Sequence, residues 1–421
     1  MNHTSRDRSA TDDVSRRQFL GVSLSTAATA SLLAAGEALA DSAVEKVAPP
    51  AGAQPKIKLG LVGCGGRGNW LAALFKQHGG YEIHALADYF QRNADKSGNR
   101  LGVAENRRFS GLSGYQKVIA SGIDALVIET PPYCIPEMAE AGVEAGLHVY
   151  MAKPVAVDVP GTLRVGAAGK LATQKKQVFL VDYQIPTDPC NIVVREALRQ
   201  GKAGPLARVI TVGISGGWND PPRTVNLESR LENSVWNNDI ALIGGRGVAY
   251  DIHAIDAATW LLGARPVAAI GSSRIVRPDP HSDSDDVSSI VFEYADGLIH
   301  EHFSQHLPNH TQMELSCKAY SYNTRVFIDY WGKALFQVRG QKPLGGAVED
   351  LYLAGAQRNI AAFHQSIHAG HYQNDTAARA VDGTLTAILG REAAARKVRL
   401  TMDELLKENK RIEADLSGLK A

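Results

Sequence analysis

Three glycines with the spacing of a phosphate-binding loop stand out in the first third of the sequence. Gly63, Gly65 and Gly68 directly follow an apolar run and precede a segment with helical spacing of apolar residues. In such a loop the first glycine permits a tight turn, the second lets a pyrophosphate approach the backbone, and the third allows close helix–strand packing. A second apolar run ends at Asp88, whose carboxylate can accept hydrogen bonds from ribose hydroxyls. The predicted dinucleotide site consists of Gly63, Gly65, Gly66, Arg67, Gly68 and Asp88.

The same carboxylate bears on the choice of dinucleotide. Asp88 would repel the 2′-phosphate of NADP, so the sequence favours NAD. Arg92 lies one helical turn further on and could attract that phosphate, which leaves NADP as the less favoured alternative.

Further polar residues lie where other apolar runs end. Because the carboxyl ends of parallel strands meet at one edge of a sheet, these residues are predicted to contact the cofactor. They are Thr130, Pro131, Lys153 and Gln184. An ammonium at this edge can orient a substrate hydroxyl and stabilise an alkoxide, and burial or a neighbouring cation would lower the pKa of Lys153 toward neutrality. The alternative is a solvated surface lysine.

The second half of the sequence carries residues able to move protons or bind a polyol. His253 lies on a segment with helical apolar spacing, where a lone histidine is either a core residue or a general base. Asp251 and Asp256 are its nearest carboxylates in the sequence. Trp218 and Asn219 follow a predicted strand and offer an aromatic platform and an amide to a sugar ring, with plain packing of the tryptophan as the alternative.

Two groups of histidines and one acidic segment raise the question of a metal ion. The first group is His300, His302, His306 and His310, and the second is His364, His368 and His371. Neither group shows a close carboxylate partner, so we predict no metal site. We expect the first group to line a polar pocket, with His300 and His302 on one face of a strand, and the second to end a helix. The acidic segment 279–286 is expected to be a solvated loop.

The elements around these residues alternate between apolar runs and helical segments up to residue 184, which predicts an α/β fold with an open parallel sheet. After residue 184, alternating runs rich in β-branched residues predict further strands, with a hairpin turn at 294–297. The 421-residue chain has a net charge of +1 and no basic stripe, so we expect no nucleic-acid partner. Its four cysteines show no C-x-x-C pair, and whether any of them pair is left open.

The N-terminal segment has the features of an export signal rather than of a folded element. Ser15–Gly21 contains twin arginines before a mild apolar run, and Ala38-Leu39-Ala40 is a small-x-small cleavage pattern. We expect a twin-arginine signal peptide over 1–40, cleavage near Ala40, a flexible leader over 41–55 and a periplasmic mature protein. A disordered tail with chance arginines is the alternative. No later segment is long and apolar enough for a membrane span.

Several motifs together resemble the glucose-fructose oxidoreductase/inositol dehydrogenase/MocA superfamily. They are "TPP" at 130–132, "HVYMAKPVA" at 148–156, "VDYQ" at 181–184 and "GGRGVAYDIHAIDAATWLLG" at 244–263. Two positions depart from the family pattern: Ala152 replaces the Glu of a Glu-Lys-Pro tripeptide, and Ala249 replaces an acidic residue four positions before the histidine. The resemblance implies that His253 is the general base, that Asp251 orients it or contacts substrate, and that Asp256 is structural.

The resemblance also implies a fold and a function. We expect a Rossmann domain over 56–184, an α+β substrate domain with a large open, mostly antiparallel sheet over 185–405, and a tail helix over 406–421. The implied activity is hydride transfer between a tightly bound nicotinamide and a sugar, glycoside or cyclitol, in a homodimer or homotetramer exported by the twin-arginine machinery. The substrate residues would be Lys153, Trp218, Asn219, Asp251 and His253. An NAD-dependent glycosidase, which Lys153 disfavours, and a non-catalytic carbohydrate-binding protein are the alternatives.

Overall fold

The computed structural model describes residues 55–217, 220, 226–232 and 235–421. The predicted signal peptide 1–40, the leader 41–55 apart from its last residue, and the predicted substrate residues Trp218 and Asn219 lie outside the described residues.

The first part of the described chain forms a six-stranded parallel sheet with helices between its strands. The strands are β1 (Ile57–Val62), β2 (Tyr81–Asp88), β3 (Arg108–Ser110), β4 (Ala125–Ile128), β5 (His148–Met151) and β6 (Phe179–Val181). The helices are α1 (Gly66–His78), α2 (Gln91–Leu101), α3 (Gly114–Ile119), α4 (Ile135–Glu144) and α5 (Val159–Gln174). Every residue of β4 is buried, as expected for a central strand covered by helices on both faces. The order β3-β2-β1-β4-β5-β6 changes direction between β1 and β4, so their carboxyl ends flank the crevice where such sheets bind ligands.

The second part forms a nine-stranded sheet in the order β14-β13-β12-β11-β7-β10-β9-β8-β15. Its strands are β7 (Leu206–Ser215), β8 (Ala268–Arg274), β9 (Val287–Glu293), β10 (Ile299–His306), β11 (Glu314–Ser321), β12 (Thr324–Asp329), β13 (Lys333–Val338), β14 (Leu344–Ala347) and β15 (Leu400–Thr401). Only β7 and β10 pair in parallel; the other neighbours are antiparallel. The predicted fold class, a Rossmann domain followed by a mostly antiparallel sheet, and the hairpin turn between β9 and β10 are both confirmed.

Helices of the second part cover one face of its sheet, and some of them pack against helices of the first part. They are α6 (Pro189–Arg199), α7 (Leu227–Glu232), α8 (Ile240–Ile243), α9 (Arg246–Ala249), α10 (Ile252–Leu262), α11 (Leu351–Ala369), α12 (Asp375–Arg396) and α13 (Met402–Glu408). Helix α12 packs against β8, α10 and α5, and α11 packs against α1, where Tyr352 stacks on Trp70 with ring centroids 4.6 Å apart. One hydrophobic cluster therefore contains residues of both sheets, and a second cluster joins α11 to the other face of the first sheet. In the part of the chain that the structure describes, no helix has the length and apolar character to cross a bilayer.

The predicted tail helix over 406–421 is wrong beyond Glu408. Helix α13 ends at Asn409, whose φ of 43° is left-handed. The remaining tail is extended and bonds to other segments: the Ile412 N–H donates to the Asp158 carboxylate (2.8 Å), and the Lys420 carbonyl accepts from the Leu112 N–H (2.9 Å). These bonds to distant residues replace the intrahelical bonds that the prediction assumed.

Candidate active site

The glycine loop has the shape that a pyrophosphate requires. Gly63 has a φ of +98°, and a Cβ at this position would lie 2.3 Å from the Glu129 carbonyl oxygen. A Cβ on Gly68 would lie 1.9 Å from the Gly63 carbonyl oxygen, so the start of α1 packs closely on the loop. Gly65, by contrast, has no atom within 4 Å of its Cβ position. The loop is thus closed toward the protein and open at Gly65, next to the N-terminus of α1, where backbone N–H groups favour an anion.

Asp88, the predicted ribose-binding carboxylate, is held in place by hydrogen bonds from three neighbouring groups. It ends β2 and accepts hydrogen bonds from the Cys64 N–H (2.9 Å), the Phe90 N–H (2.9 Å) and the Asn93 side-chain amide (3.0 Å). Arg92 is engaged elsewhere: its guanidinium pairs with Glu232 at 2.6 Å and lies 4.5 Å from the Phe90 ring centroid. The cation that could have attracted a 2′-phosphate therefore already has a carboxylate partner, which is consistent with the preference for NAD.

Arg67 points into an ion cluster beside the glycine loop. Its guanidinium bonds to the Asp182 carboxylate, lies 3.4 Å from Glu129 Oε2 and donates to the Tyr352 hydroxyl at 2.8 Å. The side chain predicted to contact the cofactor thus binds protein carboxylates from the ends of β4 and β6. Its backbone N–H, at the start of α1, remains the predicted cofactor contact.

Lys153 lies at the end of β5, half-buried, and its Nζ donates to the Ala249 carbonyl oxygen at 2.7 Å. Burial, together with the nearby Arg67 guanidinium, lowers the pKa of Lys153 to about 7, against the opposing effect of nearby carboxylates. A lysine with such a pKa can exist as a neutral amine at physiological pH and can accept a proton.

Glu129 is a site residue that the sequence reasoning missed. Its side chain is 1% exposed, and Oε1 has no hydrogen-bond partner among the described residues. Burial raises the pKa of Glu129 to about 8, although Arg67 acts in the opposite direction. A signal was available: a glutamate directly after the fully apolar strand β4 is unusual, because a buried carboxylate is costly.

His253 lies in the first turn of α10, buried against Tyr330 with ring centroids 4.8 Å apart. Burial, followed by the positive charges of Lys153 and Arg67, lowers the pKa of His253, so the imidazole is neutral. Its Nδ1 has no partner among the described residues and can bond to a hydroxyl. Asp256, one turn further along, pairs with Arg379 at 3.0 Å, as a structural role predicts.

Asp251 does not orient His253 in this structure. Its carboxylate is fully buried and lies between two histidines of β10: Oδ2 is 3.2 Å from His302 Nε2, and Oδ1 is 3.3 Å from His306 Nε2. The expectation that the strand histidines have no close carboxylate is therefore wrong, because the Asp251 side chain, at the start of α10, lies against the buried faces of β7 and β10. His300 and His302 do share the inner face of the strand, but they are buried rather than lining an open pocket.

Gln184 and the threonine–proline pair follow their strands as predicted. Gln184 is buried, and its amide is used within the protein: Oε1 accepts from the Tyr330 hydroxyl (3.0 Å) and Nε2 donates to the Asp182 carbonyl oxygen (3.2 Å). Gln184 therefore supports the site through its hydrogen bonds with Tyr330 and Asp182. Thr130 and Pro131 are half-buried at the end of β4 and available at the crevice.

The second histidine group and the acidic segment 279–286 make contacts within the protein. Within the described ranges, no group of three or more histidine, cysteine or acidic side chains is arranged to hold a metal ion. His364 and His368 pack together with ring centroids 4.3 Å apart. The acidic segment 279–286 is not wholly solvated: Asp286 is buried and pairs with Arg277 at 2.7 Å and Arg246 at 3.1 Å.

A glycine loop at the switch point of a parallel sheet, with a lysine at a neighbouring strand end and a mostly antiparallel sheet behind it, defines a two-domain dinucleotide-binding protein. Residues 57–183 match the family model described as "Oxidoreductase family, NAD-binding Rossmann fold", and residues 192–322 match "GFO/IDH/MocA C-terminal domain". The chain belongs to this family, as its motifs predicted.

Individual relatives agree with this assignment. Inositol 2-dehydrogenase of Rhizobium meliloti is 25% identical over 234 residues, which are 56% of this chain and 63% of that protein. An uncharacterized oxidoreductase of Synechocystis is 31% identical over 160 residues, 38% of this chain and 40% of that one. The chain thus matches less than two thirds of the length of these relatives.

Solved structures share the fold. An inositol dehydrogenase homolog from Azotobacter vinelandii, complexed with NAD+, superposes with a TM-score of 0.69 at 18% identity, over 85% of this chain and all of that one. An aldose-aldose oxidoreductase from Caulobacter crescentus gives a TM-score of 0.63 at 19% identity, over 82% of this chain and 99% of that one.

Proposed function

We propose that this protein is an NAD-dependent oxidoreductase that acts on a CH–OH group of a sugar, glycoside or cyclitol. The proposal is carried by Lys153, which follows β5 and whose pKa burial lowers to about 7, together with His253 Nδ1, which has no hydrogen-bond partner among the described residues. The match of relatives named as inositol dehydrogenases supports a polyol substrate.

The residues divide the work of alcohol oxidation. When bound, NAD supplies the acceptor for the hydride. The Lys153 amine takes the hydroxyl proton instead of His253, the base that the resemblance implies, because burial and the charges of Lys153 and Arg67 lower the pKa of His253 well below its usual value. As an ammonium, Lys153 stabilises negative charge on the substrate oxygen. His253 Nδ1 bonds to the same substrate hydroxyl or to a second one, and so orients the substrate ring. Tyr330 packs on the His253 imidazole and holds that imidazole in place. His253 is buried, and Lys153 is half-buried beside the crevice.

Location, cofactor retention and assembly are further parts of the proposal. The twin-arginine pattern before Ala40 supports export of the folded protein to the periplasm, where free NAD is scarce, so we infer a cofactor retained between substrates.

The uncovered face of the nine-stranded sheet exposes apolar side chains, among them Ile270, Ile299 and Phe303. Such a face supports a homodimer or homotetramer through this sheet.

The direct test is to mix the purified mature protein with a panel of sugars, glycosides and cyclitols and to follow the near-ultraviolet absorbance of the nicotinamide. Net reduction of the nicotinamide by a polyol supports the proposal if the Lys153→Met variant loses it. Glycoside cleavage without net reduction would favour the NAD-dependent glycosidase instead. Binding of sugar with neither reaction would favour the non-catalytic alternative.

A further inference from the structure

The loop that follows Asp88, the predicted ribose-binding carboxylate, is joined to two segments that are distant in the chain. The Tyr89 hydroxyl donates to Glu228 Oε1 of α7 at 3.0 Å and accepts from the Lys420 N–H of the C-terminal tail, also at 3.0 Å. A hydroxyl can do both at once because it carries one proton and two lone pairs. A single side chain beside Asp88 therefore holds α7 and the tail together.

The tail also contacts the neighbouring loop, which follows β3. The Lys420 carbonyl oxygen accepts from the Leu112 N–H at 2.9 Å, and a Cβ on Gly111 would lie 2.1 Å from the Ala421 carbonyl oxygen. The Gly111 N–H in turn donates to the Tyr89 carbonyl oxygen at 3.2 Å. The loops after β2 and β3 are thus bonded to each other, and residues 420 and 421 lie against both.

The course of the tail follows from its two anchors. The first is Ile412, whose N–H donates to the carboxylate of Asp158, the residue before α5. Asp158 follows β5 and Leu112 follows β3, and these strands are four positions apart in the sheet, about 19 Å. The chain from Ile412 to Lys420 reaches at most about 29 Å when fully extended. The tail therefore runs with little slack along the carboxyl-end edge of the sheet, past the starts of α3 and α5.

An ion pair joins α7 to the same end of the site. Arg92, at the start of the helix after Phe90, pairs with Glu232, and Glu228 lies one turn earlier on the same side of α7. Both side chains of this pair are exposed, and an exposed ion pair stabilises little by itself. The Tyr89 hydroxyl, bonded on both sides, is the contact on which the junction of the three segments depends.

We propose that Tyr89, the Glu228 carboxylate and the Lys420 N–H form a clasp at the adenosine end of the cofactor site, and that this clasp slows the release of NAD. The inference rests on the proposed function, in which NAD stays bound between substrates, and it assigns that retention to named contacts. The ligand that the clasp encloses is the adenosine half of the dinucleotide.

The clasp lies where the adenosine has to leave. Asp88 and Ser110 are paired neighbours at the ends of β2 and β3, so a ribose bonded to Asp88 places its adenine beside the loops that follow these strands. Those two loops are the ones that the tail and α7 hold. The glycine loop itself is open at Gly65, so it does not enclose the cofactor. Release from such a crevice is governed by the opening of the segments around it, and here the contacts of Tyr89 oppose that opening.

The first test measures how fast bound NADH leaves. The chain from Asp41 onward is loaded with NADH and mixed with excess NAD+, and the nicotinamide fluorescence is followed. Tyr89→Phe keeps the ring and removes the hydroxyl. We expect it to release NADH at least about tenfold faster than the wild type, because two hydrogen bonds are lost and one of them is to a carboxylate.

A matched control is available on α3. The Tyr115 hydroxyl also donates to a glutamate, Glu137, at 2.6 Å and accepts from an N–H, that of the Gln116 side chain, at 3.3 Å. Tyr115→Phe therefore removes the same pair of bonds in the same part of the chain without touching the clasp. It should release NADH at the wild-type rate.

A variant of the tail tests the same bond from its other partner. Lys420→Pro removes the N–H that donates to Tyr89 and keeps the carbonyl oxygen that accepts from Leu112. It should also speed release, and the double variant with Tyr89→Phe should be no faster than Tyr89→Phe alone, because both changes remove one shared bond.

The outcomes separate the clasp from the proposed function. Wild-type release rates in both Tyr89→Phe and Lys420→Pro would overturn the clasp while leaving the proposed function intact. If NAD binds but no polyol reduces it, the proposed function fails, and the release rates still decide on the clasp. A chain that binds neither NAD nor NADP would overturn both.

Discussion

The substitution Gly65→Ala separates cofactor binding from folding in the glycine loop. Gly65 has a φ of −72°, which alanine adopts freely, and its Cβ would meet no atom within 4 Å. We therefore expect the free energy of unfolding to change by no more than about 0.5 kcal/mol. The added methyl group projects into the open side of the loop, where the pyrophosphate would lie. Overpacking of this kind costs about 1–3 kcal/mol, equivalent to a roughly 5- to 150-fold rise in the Kd for NAD.

Two further alanine variants give this prediction its contrast. A Cβ on Gly68 would lie 1.9 Å from a backbone oxygen, so Gly68→Ala should reduce stability as well as binding. Gly216→Ala also meets no atom within 4 Å but lies at the end of β7, so it should alter neither property. Calorimetric titration of cofactor-free protein with NAD and urea denaturation measure the two quantities. If Gly65→Ala binds NAD as tightly as the wild type, the loop does not cradle the pyrophosphate.

Further predictions concern the charged groups. Because burial lowers the pKa of Lys153 to about 7, the oxidation rate should fall about tenfold per pH unit below that value as the amine is protonated; a flat profile would contradict this. Lys153→Arg, which stays charged, should lose roughly 10²- to 10⁴-fold in rate with cofactor binding retained. Asp88→Asn should tighten NADP binding at least about tenfold (~1.4 kcal/mol), measured by titration; no change would place the 2′-phosphate elsewhere. Arg379→Met leaves the buried Asp256 carboxylate without its partner and should lower the free energy of unfolding by about 3–5 kcal/mol near pH 8. The loss should be smaller near pH 5, because burial raises the pKa of Asp256 to about 6 and the carboxyl can then take a proton. An equal loss at both pH values would refute the pairing.

The features that the sequence predicted are those encoded within a few neighbouring residues. The loop around Gly63 and the carboxylate Asp88 follow from a strand, a turn and a helix that are contiguous in the chain. Lys153 and His253 also lie where their local patterns placed them, at a strand end and on a buried helix. Hydrophobic periodicity and glycine positions determine such elements almost locally.

The features that the sequence did not predict depend on pairings between distant segments. Asp251 meets His302 and His306 only because β7 and β10 are paired neighbours and the start of α10 lies against them. Gln184 turns inward because a glycine of α11, Gly355, leaves room for it: a Cβ there would lie 2.5 Å from Gln184 Cβ. No local pattern records these contacts, and a burial pattern alone cannot distinguish a pocket histidine from a histidine bonded to a buried carboxylate.

The central claim, that this chain binds NAD and uses it at Lys153, has one direct test. The chain from Asp41 onward, purified after cytoplasmic expression, is denatured, and the released dinucleotide is identified and counted against protein. We predict NAD or NADH in close to stoichiometric amount, a smaller amount from Gly65→Ala, and an unchanged amount from Lys153→Met. A protein that releases neither NAD nor NADP and fails to bind either when added would contradict the account.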